Sequence, residues 1–388
     1  MEKVVYINYQ PITSKYYYDY YLDKCIDNGF EVEYWDVSKW FFPEVDFHSD
    51  IDYKNVKYVK SKSEIVNYLS RQDIKSTFFI TNITYEYRVL KLFFVFTSFN
   101  CTLGFFARGM YPMPESKVSS KFVKLFSSFD FKIIGAALKN KWSVILKKYK
   151  IVKVYDFVFR AGSDGGITIG FGNYLDLKNA KITEINYFDY DKYLNVVTDN
   201  IIEEANYCVF MDQYLAYHPD IALCGLKNVN PEVYYSELNN FFDYIEKKYN
   251  LTVVVAAHPK AVGYKTDNPF CGRKIIFGKT CELVKESKFV LTHHSTAISY
   301  PILFNKPIVF LNSKELKRAM PDLYDLTGFL GGYLNSEVIF FDEFDQKYEM
   351  DLFVDFDIYD NYKYKFLTSK QSEDRLSSDI FIQTLRSL

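Results

Sequence analysis

At 388 residues, 48% of them apolar, the chain is long enough for two domains with sizeable cores, and its net charge of −2 leaves no global footprint for nucleic acid. Its six Cys (Cys25, Cys101, Cys208, Cys224, Cys271, Cys281) form no CxxC pair, so neither a disulfide framework nor a zinc site is suggested. The N-terminus has no charged-then-apolar signal peptide and no apolar run approaches the roughly 20 residues of a membrane span, so a reducing cytoplasm is the expected compartment.

In chain order, Lys3–Tyr9 reads as a strand, Ser14–Asn28 as a Tyr-rich helix closed by Gly29, and Glu31–Val37 as a second strand. This β-α-β unit opens a doubly wound N-terminal domain. A helix at Ser63–Ser70, a strand at Thr77–Ile83, an apolar helix at Tyr87–Phe99 and a strand at Thr102–Ala107 continue it. Ligands of such sheets bind beyond the carboxyl ends of the strands. Arg108 therefore either faces the cleft or pairs with a surface carboxylate.

From Glu115 to Lys153 the chain holds ten Lys against Glu115 and Asp130, interleaved with Phe122, Phe126, Phe129, Phe131 and Trp142. Such a stretch is either a solvated helical face or one able to lie on an anionic membrane surface. Val154–Phe159 is a strand, and Arg160–Gly166 is a Gly-rich turn without a phosphate-cradle fingerprint. Asp189-x-Asp191 precedes a helical pattern (Lys192–Ala205), where capping is more natural than metal binding, and Asp355-x-Asp357 is read the same way. The expected division is a domain over 1–190 and a second over 191–388, whose final amphipathic helix, Ser377–Leu388, is able to pack back on the first.

The second domain carries the chemistry. Tyr207–Met211 is its first strand and ends at Asp212, which is either functional or an acceptor for backbone N–H groups in the next turn. After the helix Pro231–Tyr249, apolar runs at Leu251–Ala257, Lys274–Phe277, Lys288–Leu291 and Pro307–Leu311 read as strands, with helices over Thr280–Ser287 and Ser295–Asn305. The strand-end rule then gathers His258-Pro259-Lys260, Gly278-Lys279-Thr280 and His293-His294-Ser295-Thr296 on one edge. Ser295 or Thr296 would cap a helix whose N–H groups suit a phosphate. His258 can donate to a phosphate oxygen or protonate a leaving group. Taken singly, Ser295 is as well explained as a plain helix cap and His258 as a packed strand-end residue; together they suggest a nucleotide-phosphate site.

A His-Pro after a strand, with a Ser/Thr pair opening a helix some forty residues later, resembles the GT-B glycosyltransferases that use CMP-activated sugars. These include bacterial sialyltransferases and Kdo transferases of capsule and lipopolysaccharide assembly. Phe188-Asp189-Tyr190-Asp191, Val209–Leu215 and His218-Pro219-Asp220 are similar to phrases in Kdo-transferase-type domains, and the resemblance covers about residues 155–312. It implies an α/β, GT-B-like fold: two Rossmann-like domains facing each other across a cleft. It further implies transfer of a 2-keto acid sugar (Kdo or nonulosonate type) from CMP to a surface polysaccharide or lipid-linked glycan.

On that reading Asp212 serves the sugar, His258, Ser295 and Thr296 serve the donor phosphate, and His294 is part of the nucleotide site. Gly278 and Lys279 would lie by the nucleoside, with Thr280 and Glu282 on ribose hydroxyls. Lys260, Arg160 or Arg108 would meet the sugar carboxylate or the acceptor. Asp164 sits where related enzymes carry an acidic-acidic-Gly motif with their catalytic base, with Ser163 in place of its first acid; a plain Asp-Gly turn explains it about as well. No metal and no cofactor beyond the CMP-sugar is expected, because a single-phosphate leaving group needs no chelated cation. The expected partners are the nucleotide sugar, a glycan acceptor and the cytoplasmic face of the membrane, but not nucleic acid. The competing readings are a GT-B enzyme using a UDP-sugar or CDP-glycerol, and an inactive GT-B-like glycan-binding scaffold.

Overall fold

The computed structural model describes all residues except 109–111, 115–130, 166–172, 198–204, 220–226 and 346. The chain divides into two compact units: one takes in the N-terminal part to Phe188 together with Thr368–Leu388, the other Asp189–Leu367.

In the first unit seven strands form one parallel sheet: β1 (Lys3–Asn8), β2 (Glu31–Asp36), β3 (Val56–Tyr58), β4 (Thr77–Thr81), β5 (Thr102–Ala107), β6 (Phe157–Ala161) and β7 (Lys181–Ile185). Their order is β3-β2-β1-β4-β5-β6-β7. The second unit has six: β8 (Tyr207–Met211), β9 (Thr252–Ala257), β10 (Ile275–Phe277), β11 (Val290–Thr292), β12 (Ile308–Asn312) and β13 (Val338–Phe340), in the order β10-β9-β8-β11-β12-β13. All the pairings are parallel. Each sheet thus runs outward in both directions from its first strand, the doubly wound Rossmann order, and the expectation of two Rossmann-like α/β units holds. The order reverses between β1 and β4 in one sheet and between β8 and β11 in the other.

Strands covered on both faces need apolar side chains on both, which is why β4 (TFFIT), β8 (YCVFM) and β9 (TVVVAA) read as continuous apolar runs. The helix Pro231–Tyr249 shows the complementary pattern. Tyr234, Leu238, Phe241, Phe242 and Ile245 recur at helical spacing and are buried on one face. Pro231 starts it, the Asn230 side chain accepts from the N–H groups of Glu232 and Val233 (3.0 and 3.3 Å), and Asn250 ends it in the left-handed region.

Several local expectations change. The Ser14–Asn28 pattern is two helices, Ser14–Asp19 and Leu22–Asp27, because Tyr21 takes φ 64° between them. β3, β7 and the helix Asn173–Asn179 are additional to the sequence reading. β7 (KITEI) is the last strand on its edge and only Ile182 and Ile185 in it are apolar, and β3 is only three residues long. Asp189 and Asp191 lie inside the first turn of a helix that starts at Phe188, whereas Asp355 caps its helix, accepting from Ile358 N–H at 3.2 Å. Cys25, Cys101, Cys208 and Cys281 are buried thiols and Cys271 is exposed; Cys224 lies outside the described residues.

The helix Phe131–Lys148 is fixed to the first unit by a buried ion pair, Lys147 Nζ to Asp176 Oδ2 at 2.6 Å, with both side chains fully buried. The Tyr85 hydroxyl donates to Ser143 O beside it (2.8 Å). Removing one partner of such a pair strands the other charge in the core, at a cost of about 3–5 kcal/mol. Lys147→Met should therefore lower the free energy of denaturant unfolding by about that much, whereas Lys148→Met, one residue on and exposed, should change it by less than about 0.5 kcal/mol.

Candidate active site

The second sheet places two polar turns side by side at its switch point. β8 ends at Met211 and the chain turns through Asp212, Gln213 and Tyr214, the last with φ 56°, a conformation uncommon outside Gly. β11 ends at Thr292 and runs into His293, His294 and Ser295. The turns are joined directly: His294 N–H donates to the Gln213 side-chain oxygen at 3.2 Å.

Asp212 is the buried carboxylate of this edge, only 6% exposed. Its N–H donates to Ala256 O of β9 at 3.1 Å, which holds the residue in line with the sheet. Burial pushes its pKa from the ordinary 3.8 up to about 6; Tyr214 N–H, the Tyr264 hydroxyl, and His258 and Gln213 N–H act the other way. Although those groups surround it, neither carboxylate oxygen meets a partner in regular hydrogen-bond geometry among the described residues. The Tyr264 hydroxyl also lies 2.8 Å from that of Tyr235. A carboxylate so placed still ionises near neutrality and keeps unspent capacity to accept a proton or a bond.

The histidines separate by role. Leu311 O can only accept, so the His293 Nδ1 that lies 2.6 Å from it carries the proton. Nε2 must then accept from the Tyr234 hydroxyl at 2.7 Å. Fully buried, with its pKa pushed down to about 4 chiefly by burial, His293 is a neutral core link between a helix and β12. His294 is pushed lower, to about 3, by burial and then by His293. Its Nδ1 is buried with no hydrogen-bond partner among the described residues. His258 follows β9 and its Nδ1 accepts from Lys260 N–H at 3.2 Å, so the neutral ring carries its proton on Nε2. The His218 ring stands edge to face with it, centroids 4.8 Å apart.

Ser295 caps the next turn, its hydroxyl accepting from Ala297 N–H at 3.1 Å. The expected helix over Ser295–Asn305 is a 3₁₀ turn, Thr296–Ile298, followed by a short helix, Ser299–Leu303, so its dipole is smaller than a long helix would give. The Ser299 hydroxyl donates to Asp189. After β10, Gly278 sits at φ 70° with open space where a Cβ would point. Lys192 reaches this turn, donating to Gly278 O at 3.2 Å and lying 3.6 Å from Glu282. Lys260, Lys279 and Thr296 are exposed and Thr280 is half-buried.

Three further expected site residues belong to the first unit. The Arg108 guanidinium lies among the rings of Phe188, Phe106 and Tyr21 (4.3, 4.6 and 4.9 Å to the centroids), and Nε and Nη2 are buried without partners among the described residues. Arg160 pairs with Glu184 across β6 and β7 at 2.5 Å. Asp164 lies in the turn after β6, where Ser163 Oγ donates to it at 3.2 Å. Gly165 in that turn is obligatory, since a Cβ would stand 2.1 Å from Ala161 O. Sequence reasoning passed over Gln213 and Tyr264. Gln213 lay in the quoted phrase after β8, but Tyr264 comes from a short 3₁₀ turn, Val262–Lys265, with no periodic signal. Among the described residues no three His, Cys, Asp or Glu side chains gather as a metal site would require.

No family model matches the chain and no curated protein matches it in sequence. Among solved structures it is similar to the UDP-GlcNAc 2-epimerase from Neisseria meningitidis bound to UDP-GlcNAc, with 10% identity, 100% of each chain covered and a TM-score of 0.43. It is also similar to the UDP-GlcNAc 2-epimerase from Methanocaldococcus jannaschii (10% identity, 100% of each chain, TM-score 0.46). A third likeness is to the wall teichoic acid polymerase TagF (12% identity, 100% of this chain and 90% of that one, TM-score 0.44). Identities and scores this low carry no argument about what this chain binds or does.

The environment of Asp212 predicts a pH signature. With a native pKa of about 6 against an ordinary 3.8, the native protein holds a proton between those values that the unfolded chain has lost. Its stability therefore falls as pH rises through that window and stays lowered above it, by up to about 3 kcal/mol. Asp212→Asn does not titrate. The stability of Asp212→Asn relative to wild type should rise from pH 4 to pH 7 and then level off in denaturant unfolding; a flat difference would mean that Asp212 ionises normally.

Proposed function

We propose that the chain is a glycosyltransferase of surface-polysaccharide synthesis that moves a 2-keto acid sugar from a CMP donor to a glycan acceptor. The observation that carries this reading is the buried, incompletely partnered Asp212 at the switch point of the second sheet, beside His258 and stitched through Gln213 to the His294–Ser295 turn. A Rossmann sheet binds its ligand at that place. In the reaction the bond from the anomeric carbon to the CMP phosphate oxygen breaks, CMP leaves with the electron pair, and the acceptor oxygen bonds to the carbon.

Each site residue has a task in that step. His258, with its proton on Nε2, donates to the departing phosphate oxygen and stabilises the charge gathering there. The backbone at Ser295–Ala297 and the exposed Lys260 and Lys279 supply further positive potential. Asp212, ionised above about pH 6, either accepts the proton of the acceptor hydroxyl, inverting the centre, or attacks the anomeric carbon, giving retention through a glycosyl-enzyme. A CMP leaving group carries one phosphate, so protein donors can offset its charge without a bound cation.

Thermal shift with CMP, CDP, UDP and GDP tests the donor: the melting temperature should rise most with CMP, and preference for UDP or GDP would overturn the assignment. His258→Ala should lower turnover of the CMP-sugar by ~10²–10³ with folding intact. Asp212→Asn should keep CMP binding and lose transfer; full activity in that variant would remove Asp212 from the mechanism. Turnover should persist in EDTA, and loss restored by Mn²⁺ would contradict the metal-free reading.

A further inference from the structure

The helix Phe131–Lys148 turns Ser143, Leu146 and Lys147 into the first unit. Its outer side is unusual for a solvated helix. Leu138, Trp142, Ile145 and Tyr149 follow one another at helical spacing and form one stripe, and they are 62%, 55%, 42% and 69% exposed. Tyr149 N–H donates to Ile145 O at 3.0 Å, so the helical path continues to the end of the stripe.

Lys139, Lys141, Lys148 and Lys150 border these residues and are all exposed. Lys139 lies 5.4 Å from the Tyr87 ring centroid, and none of the four has an ion-pair partner among the described residues. Between Phe131 and Lys153 the sequence has no Asp or Glu at all. The local charge is thus strongly positive on a chain whose net charge is −2.

We propose that this face docks on an anionic lipid surface, with Trp142 and Ile145 at the headgroup–acyl boundary and the bordering lysines against lipid phosphates. A line of Leu, Trp, Ile and Tyr offered to water is costly unless something covers it, and Trp and Tyr favour the membrane interface. The lysines lack counter-charges among the described residues, and a negative lipid surface supplies them. A second copy of the same face would bring like charges together. Among the described residues no helix is long and apolar enough to cross a membrane, so the contact is one of lying on the surface. The Lys147–Asp176 pair holds the helix from the other side and keeps the stripe outward.

The proposal is independent of the nucleotide reading, because its test involves no nucleotide. The full chain is sedimented with vesicles of phosphatidylcholine alone and of phosphatidylcholine with phosphatidylglycerol, at low and high salt. It should pellet with the anionic vesicles, less so at high salt, and not with the neutral ones. Lys141→Glu/Lys148→Glu should weaken the association by about fivefold or more per lysine, and Trp142→Ser/Ile145→Ser should abolish it, with melting temperatures unchanged. If the serine pair melts lower, the lysine pair, which touches no core, carries the test. Equal pelleting with neutral vesicles, or lysine variants that pellet like wild type, would overturn the proposal. So would a concentration-dependent dimer in light scattering that the serine pair makes monomeric, since the face would then be a contact between copies.

Discussion

The burial of one carboxylate organises the second unit. Asp212 stands at the end of β8, the strand from which the sheet winds both ways, and the apolar runs that make β8 and β9 strands also keep water from it. Desolvation raises the energy of its charged form, and the surrounding N–H groups and the Tyr264 hydroxyl offset only part of that. The result is a group near its midpoint at pH 6, next to His258 and one turn from His294. Stability is given up there, and strongly shifted buried groups of this kind cluster at functional sites.

The two sheets share one winding order but differ in what they place where it reverses. In the first unit the ends of β1 and β4 carry Asn8, Thr81 and Asn82, neutral groups, with Asn82 donating to the Tyr16 hydroxyl at 3.0 Å. In the second unit the corresponding ends carry Asp212 and the His293–Ser295 turn. Like folds, unlike chemistry: at the switch points the carboxylate and the imidazoles belong to the second sheet, while the first unit holds the aromatic-bound Arg108 and the outward lysine-bordered helix.

Much of this was legible in the sequence because parallel sheets announce themselves. β5, β8 and the helix Pro231–Tyr249 fall where the sequence pattern put them, and Asp212, His258 and Ser295 stand just past strand ends as the pattern of apolar runs implied. What escaped was set by tertiary context. The break at Tyr21 needs a left-handed residue that no local preference signals, and the three-residue β3 exists only because β2 is beside it. The division between His293 and His294 was also hidden: of two adjacent identical residues, the ring of one meets Leu311 O and the Tyr234 hydroxyl, while Nδ1 of the other meets no partner among the described residues. The partners of Arg160 and Glu282, Glu184 and Lys192, come from segments whose proximity the sequence does not encode locally.

The central claim is that Asp212 is a late-ionising carboxylate that senses a ligand at the switch point. The direct measurement is a ¹³C-carboxyl NMR titration, with the Asp212 signal assigned by difference from Asp212→Asn, in the free protein and with saturating CMP. The account predicts a midpoint near pH 6 in the free protein and an upward displacement when the CMP phosphate lies nearby. A midpoint at the ordinary value for Asp, unmoved by CMP or any other nucleotide, would contradict it.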